Sequence, residues 1–452
     1  MTTGIGPLGS EAAAQALRDR LALVPGDKIA WHNLAVELRK LDRPIEALEA
    51  ISHAWGGGLR LPETSTMRGH ILADLGRYDE AIRAYRMAVQ DKPELLEAQA
   101  ALAKLLPQVG QRAAALEGYH AALQTAPASG PLWVAALEAA KAQGEWGQLL
   151  SWADAATARF GPDTMVTVFA ATALSALGRD AEAFDRLSPA AQAEPDYTPA
   201  HTTLAHLLIK LGEYAQADQA AGTATQQRPM DQSGWALLGV VLRLLNDERE
   251  HWLCDYERLV MPIDLGLPAE LIAAVEARHD TSAHPADQSV RGGTQTRGNL
   301  FHTADPVIQG FARDLAGAVE TRLAALPSDP THPFLARNTP TVAFSGAWSV
   351  RLRSEGFHIS HIHPEGWLSS ALYLKLPPAV QAGGGAGALA FGVPDAALGL
   401  DLPARRIVHP REGQLVLFPS YLWHGTTPFV DEAPRLTLAF DALPVDRAAA
   451  PA

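Results

Sequence analysis

"LGRYDEA", residues 75–81, holds a glycine followed five residues later by an alanine, and the pattern returns along the first 260 residues. It recurs as VGQRAAA (109–115), QGEWGQL (143–149), LGRDAEA (177–183) and LGEYAQA (211–217). Gly76, Gly110, Gly144, Gly178 and Gly212 stand 34 residues apart, and Asp42 and Asn246 continue the series at either end. Five residues beyond the first six of those positions come Ala47, Ala81, Ala115, Ala183 and Ala217, with Leu149 breaking the pattern once. Trp31, Trp133 and Trp235 each lie eleven residues ahead of a turn, and prolines 93, 127, 162, 195, 229 and 262 recur at 33 to 35. Such a period describes a helical hairpin that cannot bury its apolar face alone and stacks on its neighbours. Glycine makes the tight turn, alanine lets the two helices approach, and proline ends the second one. Residues held at fixed phase are packing, so none of them is a site candidate. His201 and His206, five apart on one helix, point to different faces and read as surface or packing residues.

The spacing Trp235-Ala-Leu-Leu-Gly239 and the 34-residue period resemble the tetratricopeptide repeat family. About seven units fill residues 27–262 behind a partial leading helix, giving an all-α domain over 10–262. The resemblance implies a superhelix whose concave groove binds an extended protein or peptide.

With 452 residues, two domains are expected. The formal net charge of -13 offers no broad attraction to phosphate, which speaks against nucleic acid or an anionic membrane as partner. Cys254 is the only cysteine, excluding an intramolecular disulfide and a cysteine-rich zinc cluster and fitting a reducing compartment. The opening residues lack a basic and then apolar leader, and no run of eighteen apolar residues occurs. A soluble cytoplasmic protein is the expectation.

After Pro262 the period changes. Helical patterns at AELIAAVEARH (269–279) and over 307–326 flank a polar, glycine-rich stretch. From about residue 340 short alternating segments follow: TVAFSGAWSVRLRS, WLSSALYLKLP, ALAFGVP, RIVHP, GQLVLFPS and RLTLAFDALP. Strands without intervening helices predict an antiparallel sandwich, jelly roll or barrel over 263–452, with flanking helices. AGGGAGA (382–388) opens no helix and reads as a loop, not a phosphate cradle. QSVRGGTQTRG (288–298), with Arg291 and Arg297 around a glycine turn, is either a solvated loop or a lining of the substrate entrance.

Chemistry concentrates in two places. In HISHIHPEGWLSSALYL (358–374) an extended chain puts His361 and His363 on one face, where both could reach one metal ion, and His358 on the other. In GQLVLFPSYLWHGTTPFVDEAPRLTLAFD (413–441) a lone His424 is followed eleven residues later by Arg435, which opens an apolar strand. Burying an arginine unpaired is costly. Either an ion pair with Asp431 or Glu432 or a bidentate carboxylate ligand would account for it. Trp367, Tyr421 and Trp423 are candidate pocket walls or ordinary packing.

Taken together, His361-Ile-His363, Tyr373 in ALYLKLP, Gly387-Ala-Leu-Ala-Phe391, His424 and Arg435-Leu-Thr437 resemble the iron(II) and 2-oxoglutarate dependent oxygenases. The likeness covers roughly residues 340–442 and implies a double-stranded β-helix of the jelly-roll type. It also implies that His361 and His424 bind Fe(II), that Arg435 clamps the distal carboxylate of 2-oxoglutarate, and that Tyr373 and Thr437 add hydrogen bonds. Molecular oxygen is then the co-substrate, ascorbate a stimulant, and hydroxylation of a protein or peptide brought by the repeats the expected outcome. The family's usual third ligand is an acid two residues after the first histidine, where this chain has His363. His363 itself, Glu365 or water could complete the set. A cupin-like metal protein without keto acid, and an inactive repeat scaffold, are the rival readings.

Overall fold

The computed structural model describes residues 7–279, 290–296, 298–303 and 305–445. Contacts divide the chain into two compact units at Trp152/Ala153. The first holds α1 (Pro7–Leu23), then the hairpins α2 (Lys28–Lys40) with α3 (Pro44–Gly56), α4 (Pro62–Asp74) with α5 (Tyr78–Asp91), and α6 (Leu96–Leu105) with α7 (Glu117–Thr125). It continues through α8 (Gly130–Gln143) into α9 (Trp146–Phe160), which spans the division.

The turns have the conformation their residue types favour. Asp42 and Asn246 have φ of 55° and 52°, and Gly76, Gly110, Gly144, Gly178 and Gly212 lie between 69° and 79°. That left-handed region penalises most side chains, Asn and Asp least among those carrying a Cβ. Behind five of these turns the packing residue is fully buried: Ala47, Ala81, Ala183 and Ala217, and Leu149 behind Gly144. The tryptophan phase has its own local reason. The indole N–H groups of Trp31, Trp133 and Trp235 donate to the carbonyls of Pro25, Pro127 and Pro229, six residues back. His201 at the same phase makes that bond to the Pro195 carbonyl, so it serves packing as expected.

The second unit opens with three more hairpins: α10 (Thr164–Ala176) with α11 (Asp180–Ala193), α12 (Thr198–Leu211) with α13 (Tyr214–Gln227), and α14 (Gln232–Leu245) with the short α15 (Arg249–Cys254). After α16 (Tyr256–Leu259) come β1 (Met261–Asp264), α17 (Ala269–Glu276), β2 (Val290–Gln295) and α18 (Pro306–Ala324). The chain then runs through β3 (Val342–His358), β4 (Leu368–Lys375), α19 (Pro378–Gln381), β5 (Leu389–Phe391), β6 (Arg406–Val408), β7 (Gln414–Pro419), β8 (His424–Thr426) and β9 (Arg435–Pro444). Strand β1 includes Pro262, the expected last residue of the repeats, and pairs with β7.

The strands form a six-stranded sheet, β1-β7-β4-β9-β3-β2, and a three-stranded sheet, β6-β5-β8, with every pairing antiparallel. This is the jelly-roll arrangement expected from the strand pattern. Strand β9 lies between β4 and β3 inside the sheet, and its residues alternate between an apolar face and a more polar one. Leu436, Leu438, Phe440 and Ala442 pack on one side, where Phe440 meets Phe344 and Phe301. Helix α18 is capped by the Asp305 carboxylate, which accepts from the N–H groups of Val307 and Ile308, and it buries Ile308, Phe311, Leu315, Val319 and Leu323 at spacings of three and four. The opposite face of β9 presents Arg435, Thr437, Ala439 and Asp441 to a cavity of about 690 Å³ that residues of both sheets line. No helix among the described residues is long and apolar enough to cross a membrane.

Candidate metal centre

Three histidines meet at one end of that cavity. Strand β3 stops at His358, and the chain turns so that His361 forms an antiparallel bridge with His424. His361 N–H donates to the His424 carbonyl at 3.0 Å, and His424 N–H donates back at 3.1 Å. Each ring is fixed in the same manner. His361 Nδ1 bonds the Ile359 carbonyl at 2.8 Å, and His424 Nδ1 the Leu422 carbonyl at 2.9 Å. A carbonyl only accepts, so both Nδ1 atoms carry the proton and both Nε2 lone pairs are left free. His363 is tied by its N–H to the Ser420 carbonyl and by Nδ1 to both carboxylate oxygens of Asp441 at 2.7 Å.

One nitrogen from each ring lies within 4.8 Å of the others, so the three could share one ion. Burial is the main force lowering the affinity of the His361 and His424 rings for protons. It pushes His361 down to about 4 and His424 well below the usual histidine range. Neutral imidazole is the form that binds metals. Glu365 lines the cavity without joining the three-histidine cluster.

His358 corrects the expectation from alternation. It too faces the cavity, its ring stacked 6.1 Å from that of His361. The period-two rule holds only within a strand, and the strand ends at this residue.

At the other end of β9's inner face sits Arg435, 2% exposed. Its guanidinium lies 5.0 Å over the ring of Tyr373, and Nη1 donates to the Gly387 carbonyl at 2.9 Å. Nε has no partner, and neither does the Tyr373 hydroxyl, although both are buried. Among the described residues no carboxylate pairs with Arg435. The Asp431 carboxylate instead accepts from the N–H groups of Ala379 and Ala433, and Glu432 is exposed. The ion-pair explanation with Asp431 or Glu432 therefore falls away, leaving this cation without a carboxylate among the described residues. Thr437 lines the same wall, its hydroxyl reaching the Val350 carbonyl at 3.3 Å.

Four candidate wall residues do not line the cavity. Trp367 is core, stacked on Phe334 and donating to its carbonyl. Trp423 and Tyr421 turn toward the last helical hairpin, donating to the carbonyls of Ala236 and Leu253. Trp423 immediately precedes His424, so an extended chain sends the two side chains opposite ways. Arg291 is exposed on β2, with Nη1 on the Val290 carbonyl. Arg297 lies outside the described residues.

Asp441 was absent from the sequence-based candidates, as was Trp348, which stacks 5.8 Å from His363. Asp441 carried a readable signal. It stands six residues after Arg435 in an alternating strand, hence on the same face, and it is the one acid of that strand.

Comparison with known families agrees with this geometry. Residues 346–441 match the family described as "Putative 2OG-Fe(II) oxygenase", and residues 62–93 and 174–240 match tetratricopeptide repeat families. Among solved structures, a tetratricopeptide repeat protein from Parabacteroides merdae ATCC 43184 is 16% identical, with 52% of this chain and 93% of that chain covered and a TM-score of 0.36. Yeast Tom70 is also 16% identical, over 54% of this chain and 60% of that one, with a TM-score of 0.33. YrrB, described as a TPR protein with an unusual peptide-binding site, is 18% identical over 37% and 87%, with a TM-score of 0.28. A comparison with curated proteins found no match. The chain thus joins N-terminal tetratricopeptide repeats to a C-terminal domain, residues 346–441, of the 2OG-Fe(II) oxygenase type.

Proposed function

We propose that the C-terminal domain is an Fe(II)- and 2-oxoglutarate-dependent dioxygenase that hydroxylates a protein or peptide recruited by the repeats, in the cytoplasm. The observation that carries the reading is Arg435: a buried cation without a carboxylate partner, in the same cavity as three histidines. His361, His424 and His363 would hold the iron through their free nitrogens, with Glu365 left outside the ligand set. Arg435 would take the distal carboxylate of 2-oxoglutarate, and the unpartnered Tyr373 hydroxyl is a hydrogen-bond donor beside it. When bound, iron and keto acid supply the oxidising chemistry: 2-oxoglutarate, O2 and a C–H bond become succinate, CO2 and C–OH. The protein's share is to keep His361 and His424 neutral, orient the keto acid by its far end and exclude bulk water with the apolar walls Leu389, Phe418 and Ala439. A protein substrate is supported by the repeats, and the cytoplasm by a sole cysteine that is buried and free.

Purified protein given Fe(II), ascorbate and labelled 2-oxoglutarate should release CO2 and succinate. His424→Ala should abolish release, and Arg435→Ala should need far more keto acid. Histidine-dependent Fe(II) binding in a protein that does not bind 2-oxoglutarate would sink this reading in favour of a metal protein without keto acid.

A further inference from the structure

The donor set at the candidate metal centre contains three imidazoles and no carboxylate, so three neutral ligands alone would leave a divalent ion's charge uncompensated in a buried cavity. The nearest compensation is one bond away. Asp441 holds His363 Nδ1 with both oxygens at 2.7 Å, and its side chain is largely buried. Its own orientation is fixed from behind: Ser369 donates to Oδ1 at 2.7 Å, while Ser369 and Ser420 share a further hydrogen bond at 2.8 Å. Backbone register sets this up, since Ser369 on β4 is the direct partner of Asp441 on β9. His361 and His424 have only neutral carbonyls at their Nδ1 atoms. His363 alone is backed by an anion.

We propose that Asp441 is a positioning residue of this centre, turning the Nε2 of His363 toward the shared ion and supplying, through that ring, the negative charge that the donor set lacks. This rests on the metal-binding reading above. A carboxylate accepting from a ligating imidazole fixes its tautomer and raises its basicity, and loss of such a partner characteristically weakens metal binding about 10–100-fold. Asp441 also shares one strand face with Arg435, with Arg435 at the end that would receive a keto acid and Asp441 at the end that would receive the cation.

The test uses the full chain and Co(II), whose d–d absorption reports the ligand field. Asp441→Asn keeps size and an acceptor oxygen but loses the charge. It should weaken Co(II) binding 10–100-fold and shift the d–d bands. In a His363→Gln background the same change should have little further effect, because Asp441 acts through that ring. Ser369→Ala, which leaves the carboxylate but removes its hydroxyl donor, should weaken binding several-fold. It serves as the deciding variant if Asp441→Asn does not fold. Co(II) affinity within twofold of the parent in a folded variant, or full additivity with His363→Gln, would overturn the inference. His424→Ala separates the two levels of the argument. If it leaves Co(II) binding intact, the metal centre itself is wrong; if it abolishes binding while Asp441→Asn has no effect, only the role of Asp441 is.

Discussion

A buried arginine is unfavourable unless its charge is answered, and among the described residues Arg435 is answered with only a carbonyl and an aromatic face. That arrangement suits a cation kept ready for an anionic ligand better than one kept for stability. Replacing it by a residue of similar length and no charge separates these roles. Arg435→Met should be at least as stable as the parent without ligand, because desolvation of the guanidinium is relieved. The parent should gain stability when 2-oxoglutarate is added with a divalent ion, and the variant should gain little, since a bidentate charge-assisted pair is worth about 1.5–3 kcal/mol. Thermal unfolding with and without keto acid measures both. A variant that is much less stable without ligand would mean that Arg435 is structural.

At the scale of elements, polar contacts between strands are as telling as the apolar core. His279, just past α17, is buried and joins β2 to β3, with Nδ1 3.0 Å from the Thr294 hydroxyl and Nε2 3.0 Å from that of Ser349. The Ser349 hydroxyl donates to the Thr437 carbonyl, so it accepts from His279 Nε2–H, and Nδ1 accepts from Thr294. Protonation would reverse the Thr294 bond and place a charge in a buried site, and burial pushes this ring down to about 4. Its unfolded counterpart titrates near 6.5, so between these values the unfolded chain binds the extra proton and stability falls as pH falls. Above 6.5 the contribution is complete, and below 4 there is no further loss. His279→Gln should therefore lose less stability than the parent between pH 6.5 and 4, by on the order of 2 kcal/mol. Urea unfolding across that range checks it, and parallel pH profiles would refute it.

The same scale explains what could be read from the sequence. The hairpins were legible because they repeat the same backbone demand, a left-handed turn residue, in most of them with a sealed alanine behind it. His424 and Arg435 were legible as candidates because each opens a strand, and His361 because it stands two residues from His363. His358 was not, because alternation fails where β3 ends. For Trp367, Tyr421 and Trp423 the choice between pocket wall and packing was not legible, because aromatic type does not say which face a side chain takes and each has a carbonyl partner far away in sequence.

For the molecule as a whole, the expected division near residue 262 meets a different physical boundary inside the second unit. The last hairpin provides acceptors that the jelly roll cannot replace. The Leu253 carbonyl receives both the Tyr421 hydroxyl at 2.7 Å and His332 Nε2 at 3.1 Å, and the Ala236 carbonyl receives the Trp423 indole at 3.2 Å. Arg243 reaches the carbonyls of Gly392 and Pro403, and the Gln232 N–H at the start of α14 donates to the carbonyl of Pro364, next to His363. Tyr421 and His332 are 2% and 1% exposed, so removing their acceptor would leave each donor unsatisfied at about 1–3 kcal/mol. Against a typical domain stability of about 5–15 kcal/mol, that loss and the exposed apolar face are severe. A chain beginning at residue 260 should therefore fail to fold cooperatively or to bind Co(II). One beginning at residue 163, which keeps the Asp163 cap on α10 and all of α14 and α15, should unfold in one transition and bind Co(II) near the parent affinity. Circular dichroism melts and Co(II) titrations of the two chains decide the matter. If the shorter chain binds Co(II) like the parent, the last hairpin is an appendage; if only the longer one does, that hairpin is part of the scaffold that holds the HIHP segment in place.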